Sequence, residues 1–132
     1  MMTMRSSKPS EHQIQAALFK WLAAVHPKVV AYAIPNAARR SMAQAAYLKA
    51  EGLRAGMPDV VIATARGGYH GMYLELKTQK GKLFESQTEM LTRLANEGYA
   101  SAVAYGLDDA IFLITKYVEG KWNDLLELGT KH

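Results

Sequence analysis

Asp59 closes the stretch Gly56-Met57-Pro58-Asp59, and sixteen residues later come Glu75, Leu76 and Lys77. Two carboxylates held a few ångströms apart repel each other and call for a cation between them. Hard oxygen donors with open positions suit Mg²⁺ or Mn²⁺. Such an ion polarises a phosphoryl oxygen and lowers the pKa of water. Lys77 would hold that water or stabilise the charge growing on the phosphorane. The main-chain carbonyl of Leu76, between the two side chains, would add another hard ligand. This is the chemistry of phosphodiester hydrolysis.

That chemistry requires elements that bring the residues together. Asp59 opens the apolar run Val60-Val61-Ile62-Ala63, bounded by Pro58 before and Arg66-Gly67-Gly68 after, the pattern of a buried strand and a turn. Met72 to Lys77 is the next strand, and a short loop between them fits an antiparallel hairpin. Alternation puts Tyr73, Glu75 and Lys77 on one face and Met72, Leu74 and Leu76 on the other. The hairpin lays the end of the second strand beside the start of the first, so Asp59 and Glu75 are expected neighbours. Alone, Glu-x-Lys in a strand is the ordinary solvated face of a sheet, and Pro-Asp is an ordinary turn. The two in this order, joined by a hairpin, carry the reading.

The other elements follow from periodicity and punctuation. Ser10 and Gln13 form a capping-box signature ahead of Ile14, Ala17, Leu18, Trp21, Leu22 and Val25, which recur at helical spacing over residues 11–25. Val29 to Ile34 reads as a strand. Residues 41–51 read as a helix stopped by Gly52. Residues 85–97 form a helix with Met90, Leu91 and Leu94 on one side. Ser101 to Tyr105 is a strand that can run parallel to its neighbour, because a helix precedes it as the crossover. Asp108 or Asp109 caps a helix through Val118, and residues 121–128 can add a last helical turn or two. The order predicts an α/β domain, a small mixed sheet with helices on its faces.

Composition narrows the function classes. At 132 residues the chain fits one compact domain. It divides into a basic arm over residues 1–9 and a single domain over 10–132. The formal charge of +4 favours a polyanionic partner without demanding one. The absence of cysteine excludes disulfides, thiolate zinc sites and a cysteine nucleophile, and suits a reducing cytosol. No run approaches the roughly eighteen apolar residues of a membrane span. His12, His26, His70 and His132 show no metal-ligand spacing, and no Gly-x-Ser-x-Gly is present. Trp122 either seals the core or joins a subunit interface.

Several cations are placed to meet phosphates. Arg39 and Arg40 follow a Pro-Asn turn and precede a helix, which favours them over Lys49, Arg54 and Arg66. Lys80 and Lys82 flank a glycine just after Lys77 and put positive charge beside the expected cleft. Glu11 lies in the first turn of a helix, where the macrodipole favours an acid in any case. Gln87 falls near an apolar helix face and needs a partner, which a structural or a catalytic hydrogen bond would equally supply.

Pro58-Asp59, fifteen intervening residues and Glu75-Leu76-Lys77 resemble the signature of PD-(D/E)XK nucleases. Pro35-Asn36, Arg39-Arg40, Gly52, Gly56-Met57-Pro58-Asp59-Val60, Tyr73-Leu74-Glu75-Leu76-Lys77, Gly81-Lys82-Leu83, Gln87, Leu91, Leu94, Gly98-Tyr99 and Val103 closely resemble the VRR-NUC branch of that superfamily. The likeness runs from about Ser10 to Ile111 and suggests a minimal stand-alone member of the kind bacteria and their phages carry. It implies a restriction-endonuclease-like core with a central mixed sheet flanked by helices. By the same resemblance Asp59 and Glu75 are metal-binding acids, Lys77 the catalytic lysine, Glu11 an acid turned toward the metal, and Gln87 the residue that orients the site. Phe84 and Ser86 depart from the family, which often has a capping serine followed by proline here.

The resulting expectation is a cytoplasmic endonuclease that uses Mg²⁺ or Mn²⁺ and acts on DNA. Small stand-alone relatives resemble Holliday-junction resolvases, which implies a homodimer selective for branched DNA. A less selective nuclease and a non-catalytic basic DNA-binding module are the alternatives.

Overall fold

The structure is a computed structural model, and it describes residues 8–35 and 41–127. Nearly all of the expected basic arm, together with Arg39 and Arg40, lies outside the described residues. The elements run α1 (Glu11–Val25), β1 (Ala31–Ala33), α2 (Met42–Ala50), β2 (Val60–Ile62), β3 (Met72–Lys77), α3 (Glu85–Asn96), β4 (Ala100–Tyr105), α4 (Leu107–Val118) and α5 (Trp122–Glu127).

One sheet of order β1-β2-β3-β4 forms the centre of the fold. β1 and β2 pair antiparallel, as do β2 and β3, while β3 and β4 run parallel. The register sets Val60 opposite Leu74, which carries Asp59 to the level of Glu75. The parallel β3–β4 pair needs a crossover, and α3 supplies it. This is the mixed sheet flanked by helices that the sequence predicts.

The core lies on one side of the sheet. Val60, Ile62, Met72, Leu74, Leu76, Ala100, Ala102 and Ala104 meet Ile14, Leu18 and Leu22 of α1, Leu113, Ile114 and Tyr117 of α4, and Leu125 of α5. Trp122 is buried in this same cluster, which answers the choice between core and interface in favour of core. On the opposite side α3 covers β4, with Met90 and Leu91 buried. The rest of that side forms a cleft.

Helix starts follow local chemistry. The Ser10 Oγ accepts the Gln13 N–H at 3.1 Å and the Gln13 side chain accepts the Ser10 N–H at 2.9 Å, the expected reciprocal cap. Ser41 and Gln44 repeat the arrangement at the start of α2. α4 begins differently from expectation. Gly106, not Asp108 or Asp109, is its N-cap, and the Asp109 carboxylate turns back to accept the Tyr105 N–H at 2.9 Å. Two strand limits also move: β4 starts at Ala100, and β1 is confined to Ala31–Ala33. Its flanks stay attached by other bonds, Val30 N–H to the Thr64 hydroxyl and Ile34 N–H to the Asp59 carbonyl. Among the described residues no helix is long and apolar enough to cross a membrane.

Candidate active site

Asp59 reaches the site because the chain before it is tightly fixed. Gly56 has φ +81°, a conformation that a side chain disfavours, and a Cβ there would lie 3.0 Å from the Ser86 carbonyl oxygen. This close approach presses the loop against the first turn of α3. Pro58 is fully buried and its ring limits the backbone just ahead of Asp59. The Asp59 carbonyl accepts from Ile34 N–H, anchoring it to the end of β1. Its side chain then spans to the next strand, where Oδ2 accepts the Leu76 N–H at 2.8 Å.

Glu75 and Lys77 point from β3 into the same cleft, and both are almost fully buried. Their charges face each other, with Lys77 Nζ 3.8 Å from Glu75 Oε2. The same Oε2 accepts a 2.8 Å hydrogen bond from Gln87 Nε2. Gln87 is held in turn, because its Oε1 accepts the Phe84 N–H at 2.9 Å. The amide is therefore spanned between the start of α3 and the carboxylate, which fixes its orientation. A structural and a site-directed role coincide in this one side chain.

The other oxygen of Glu75 is different. Oε1 is buried and has no hydrogen-bond partner. Burial, followed by the Asp59 carboxylate beside it, pushes the Glu75 pKa up to about 8. Lys77 pulls it down, while the hydrogen bond that a protonated Glu75 makes with Asp59, and the charge of Glu11, push it further up. A carboxyl so placed either keeps a proton or needs a cation. An orphaned, buried oxygen facing a second carboxylate is a poor structural feature and a good ligand for a hard cation.

The strand geometry offers a third oxygen. A strand residue's N–H and C=O leave by the same edge. The Lys77 carbonyl accepts from Gly106 N–H on the β4 side, and the Leu76 N–H leaves toward Asp59. The Leu76 carbonyl therefore leaves on the Asp59 side as well. Two carboxylates, one carbonyl and room for water match the sparse protein ligation of Mg²⁺ or Mn²⁺. Among the described residues no three His, Cys, Asp or Glu side chains are grouped closely enough to hold a metal between them. Glu11 borders the cleft and acts on Glu75 through its charge.

The cleft has a volume of about 550 Å³. Besides Glu11, Asp59, Glu75, Lys77 and Gln87, its walls include Lys49 at the end of α2 and Arg54 in the loop ahead of Gly56. The sequence offered these two cations as phosphate contacts behind Arg39 and Arg40, which lie outside the described residues. The usable signal was the nearness of Arg54 to the Gly56-Met57-Pro58-Asp59 stretch. Arg66 belongs elsewhere, its guanidinium bonded to the Val118 and Ala65 carbonyls beyond the far end of β2. Lys80 and Lys82 lie in the loop after β3, Lys80 and Lys82 both exposed and neither in the cleft wall. Gly81 between them packs on the Lys77 stem, where a Cβ would sit 3.3 Å from Lys77 Cβ. Phe84, noted only as a departure from the family pattern, forms part of the wall.

Comparison with known proteins identifies the family and the fold. The VRR-NUC domain family model matches residues 6–108. A solved structure described as a VRR_NUC domain protein is 30% identical to this chain, with a TM-score of 0.74, covering 86% of this chain and 92% of its own. No curated protein matches. The family model and the structural match define a nuclease of the PD-(D/E)XK type, a hydrolase acting on DNA, with the restriction-endonuclease-like core of that class. Within that class, the chain belongs to the VRR-NUC family.

Proposed function

We propose that this protein is a divalent-metal-dependent endonuclease selective for branched DNA, four-way junctions above all, and that it acts as a cytoplasmic homodimer. The observation that carries the metal dependence is the buried Glu75 Oε1, which lacks a donor and belongs to a carboxyl facing Asp59. Asp59, Glu75 and the Leu76 carbonyl would hold Mg²⁺ or Mn²⁺, with Glu11 adding negative charge behind them. The ion supplies Lewis-acid polarisation of the phosphoryl oxygen and acidifies water.

The chain's own residues do the rest. Lys77 stands beside Glu75, where it holds the attacking water and offsets charge that develops on the phosphoryl oxygens. Gln87 fixes the rotamer of Glu75, so that its free oxygen stays directed away from the Gln87 amide. Lys49 and Arg54 meet the phosphates of the bound strand, and Lys80 and Lys82 the phosphates beyond. Arg39 and Arg40, between Pro35 and α2 in the sequence, are assigned the same task. Residues 10–132 work as one nuclease domain, with residues 1–9 as a basic arm. Two copies would be needed to cut two strands symmetrically across a junction, which is the argument for the dimer.

Cleavage of labelled four-way junction, flap and linear duplex tests the reading, each with Mg²⁺, Mn²⁺ or chelator. The expected result is chelator-sensitive cutting that is fastest on the junction, by a protein that sediments as a dimer. Equal cutting of junction and duplex would remove the branch selectivity. DNA binding with no metal-dependent cleavage would leave only a basic binding module.

A further inference from the structure

Among the described residues, Phe84 is the large apolar side chain of the cleft wall that folding leaves unexplained. Its residue is 64% exposed although it stands beside the buried Glu75–Lys77 pair. It occupies the N-cap of α3, a position that favours Ser, Thr, Asp or Asn, and its side chain makes no cap hydrogen bond. Neither core packing nor helix capping accounts for an aromatic ring there.

What the ring does have is a place next to Lys77 in the cleft wall. Lys77 Nζ lies over it, 5.4 Å from the centroid, within the range of a cation–π contact. Its backbone N–H is bound to Gln87, which in turn holds Glu75. The Phe84 backbone is thus linked through Gln87 to the carboxylate, and its ring makes one electrostatic contact with the ammonium, while much of the residue's surface stays in water. An aromatic face flanked by cations is how proteins hold unpaired nucleotides. Stacking accepts any base, and the cations take the phosphates. A base in intact duplex is already stacked on its neighbours and must be pulled free first.

We propose that Phe84 is a stacking platform for a nucleobase next to the phosphate held at Lys77, so that the site selects strand segments whose bases are unpaired. The proposal rests on the nuclease reading of Asp59, Glu75 and Lys77. It supplies a physical source for selectivity toward branch points, flaps and single strands: the ring contributes only where a base is free to reach it.

The test is equilibrium binding, in chelator, of single-stranded oligonucleotides carrying 2-aminopurine at each position in turn, alongside linear duplex. The wild type is expected to quench the probe at one position. Phe84→Ala should lose that quenching, weaken single-strand binding on the order of tenfold, and bind duplex as the wild type does. Phe84→Leu, bulky but without a π face, should behave like the alanine variant, and Phe84→Trp should restore both signals. Unchanged quenching and affinity in Phe84→Ala would overturn the proposal. So would full function in Phe84→Leu, or a loss of cleavage rate alone, which would reduce the ring to a positioning residue for Lys77. Because binding is read without cleavage, a protein that stacks the probe but never cuts DNA would refute the nuclease reading and leave the platform standing. Thermal melting of each variant checks folding, and the exposure of Phe84 predicts that all three fold.

Discussion

Met72, Leu74 and Leu76 leave β3 on one side of the sheet, and Tyr73, Glu75 and Lys77 leave it on the other. On the first side an apolar cluster forms the core, closed by α1, α4 and α5. On the second, α3 covers only part of the surface, and an acid and an amine are buried together with one carboxylate oxygen unpaired. Six consecutive residues therefore carry two opposed designs. The apolar side gains free energy from burial. The polar side gives some back, since taking charges out of water costs more than an imperfect pair returns. The apolar side is what permits the polar side to exist, and in the function proposed above a divalent cation would offset the cost of the polar side.

Mutations that strike each side separately sharpen the contrast. Leu74 is fully buried in the core, so Leu74→Ala should destabilise the fold by about 2–5 kcal/mol, read as a lower urea midpoint. Glu75→Gln, one residue further along, should do the opposite in metal-free protein. The folded Glu75 titrates near 8 against an ordinary value of 4.5, so the folded state keeps a proton that the unfolded chain loses between those limits. Its contribution to stability is therefore highest below pH 4.5 and declines as pH rises toward 8. Replacing it by a neutral amide removes that decline. The variant should exceed the wild type by on the order of 2 kcal/mol at pH 8.5, with the gap closing toward pH 4.5. Adding Mg²⁺ or Mn²⁺ at pH 8.5 should raise the wild-type melting temperature and leave that of Glu75→Gln almost unmoved. Equal stability of the two proteins at both ends of the pH range would mean that the two sides of β3 do not differ in the way described.

The same contrast explains what could be read before the structure was known. The apolar side announces itself through periodicity: Ile14, Leu18 and Leu22 at helical spacing, and Met72, Leu74 and Leu76 at strand spacing. The meeting of Asp59 and Glu75 was also legible, because an antiparallel register follows from two strands and a return loop. The family resemblance added Gln87, and the structure gives it a definite partner in Glu75. The cleft walls were not legible. α2 buries none of its residues, so its sequence carries no amphipathic signal to say which side faces the site or that Lys49 stands in the cleft wall. The cap of α4 was misread because Asp108 and Asp109 have the right chemistry for a cap. Only the folded chain shows Asp109 engaged with Tyr105 and Gly106 at φ +94° making the turn. Phe84 looked like a departure from a pattern because exposure, which gives it meaning, is not written in one residue's identity.

The central claim is that Asp59, Glu75 and Lys77 form one metal-dependent hydrolytic centre. Its most direct test is the single-turnover cleavage rate of labelled DNA by wild type, Asp59→Asn and Lys77→Ala, with Mg²⁺ or Mn²⁺ and with chelator. Chelator should abolish the wild-type reaction, and each substitution should slow it by on the order of 10²–10³-fold while DNA binding persists. Wild-type cutting that survives chelation, or variants that cut at the wild-type rate, would contradict it.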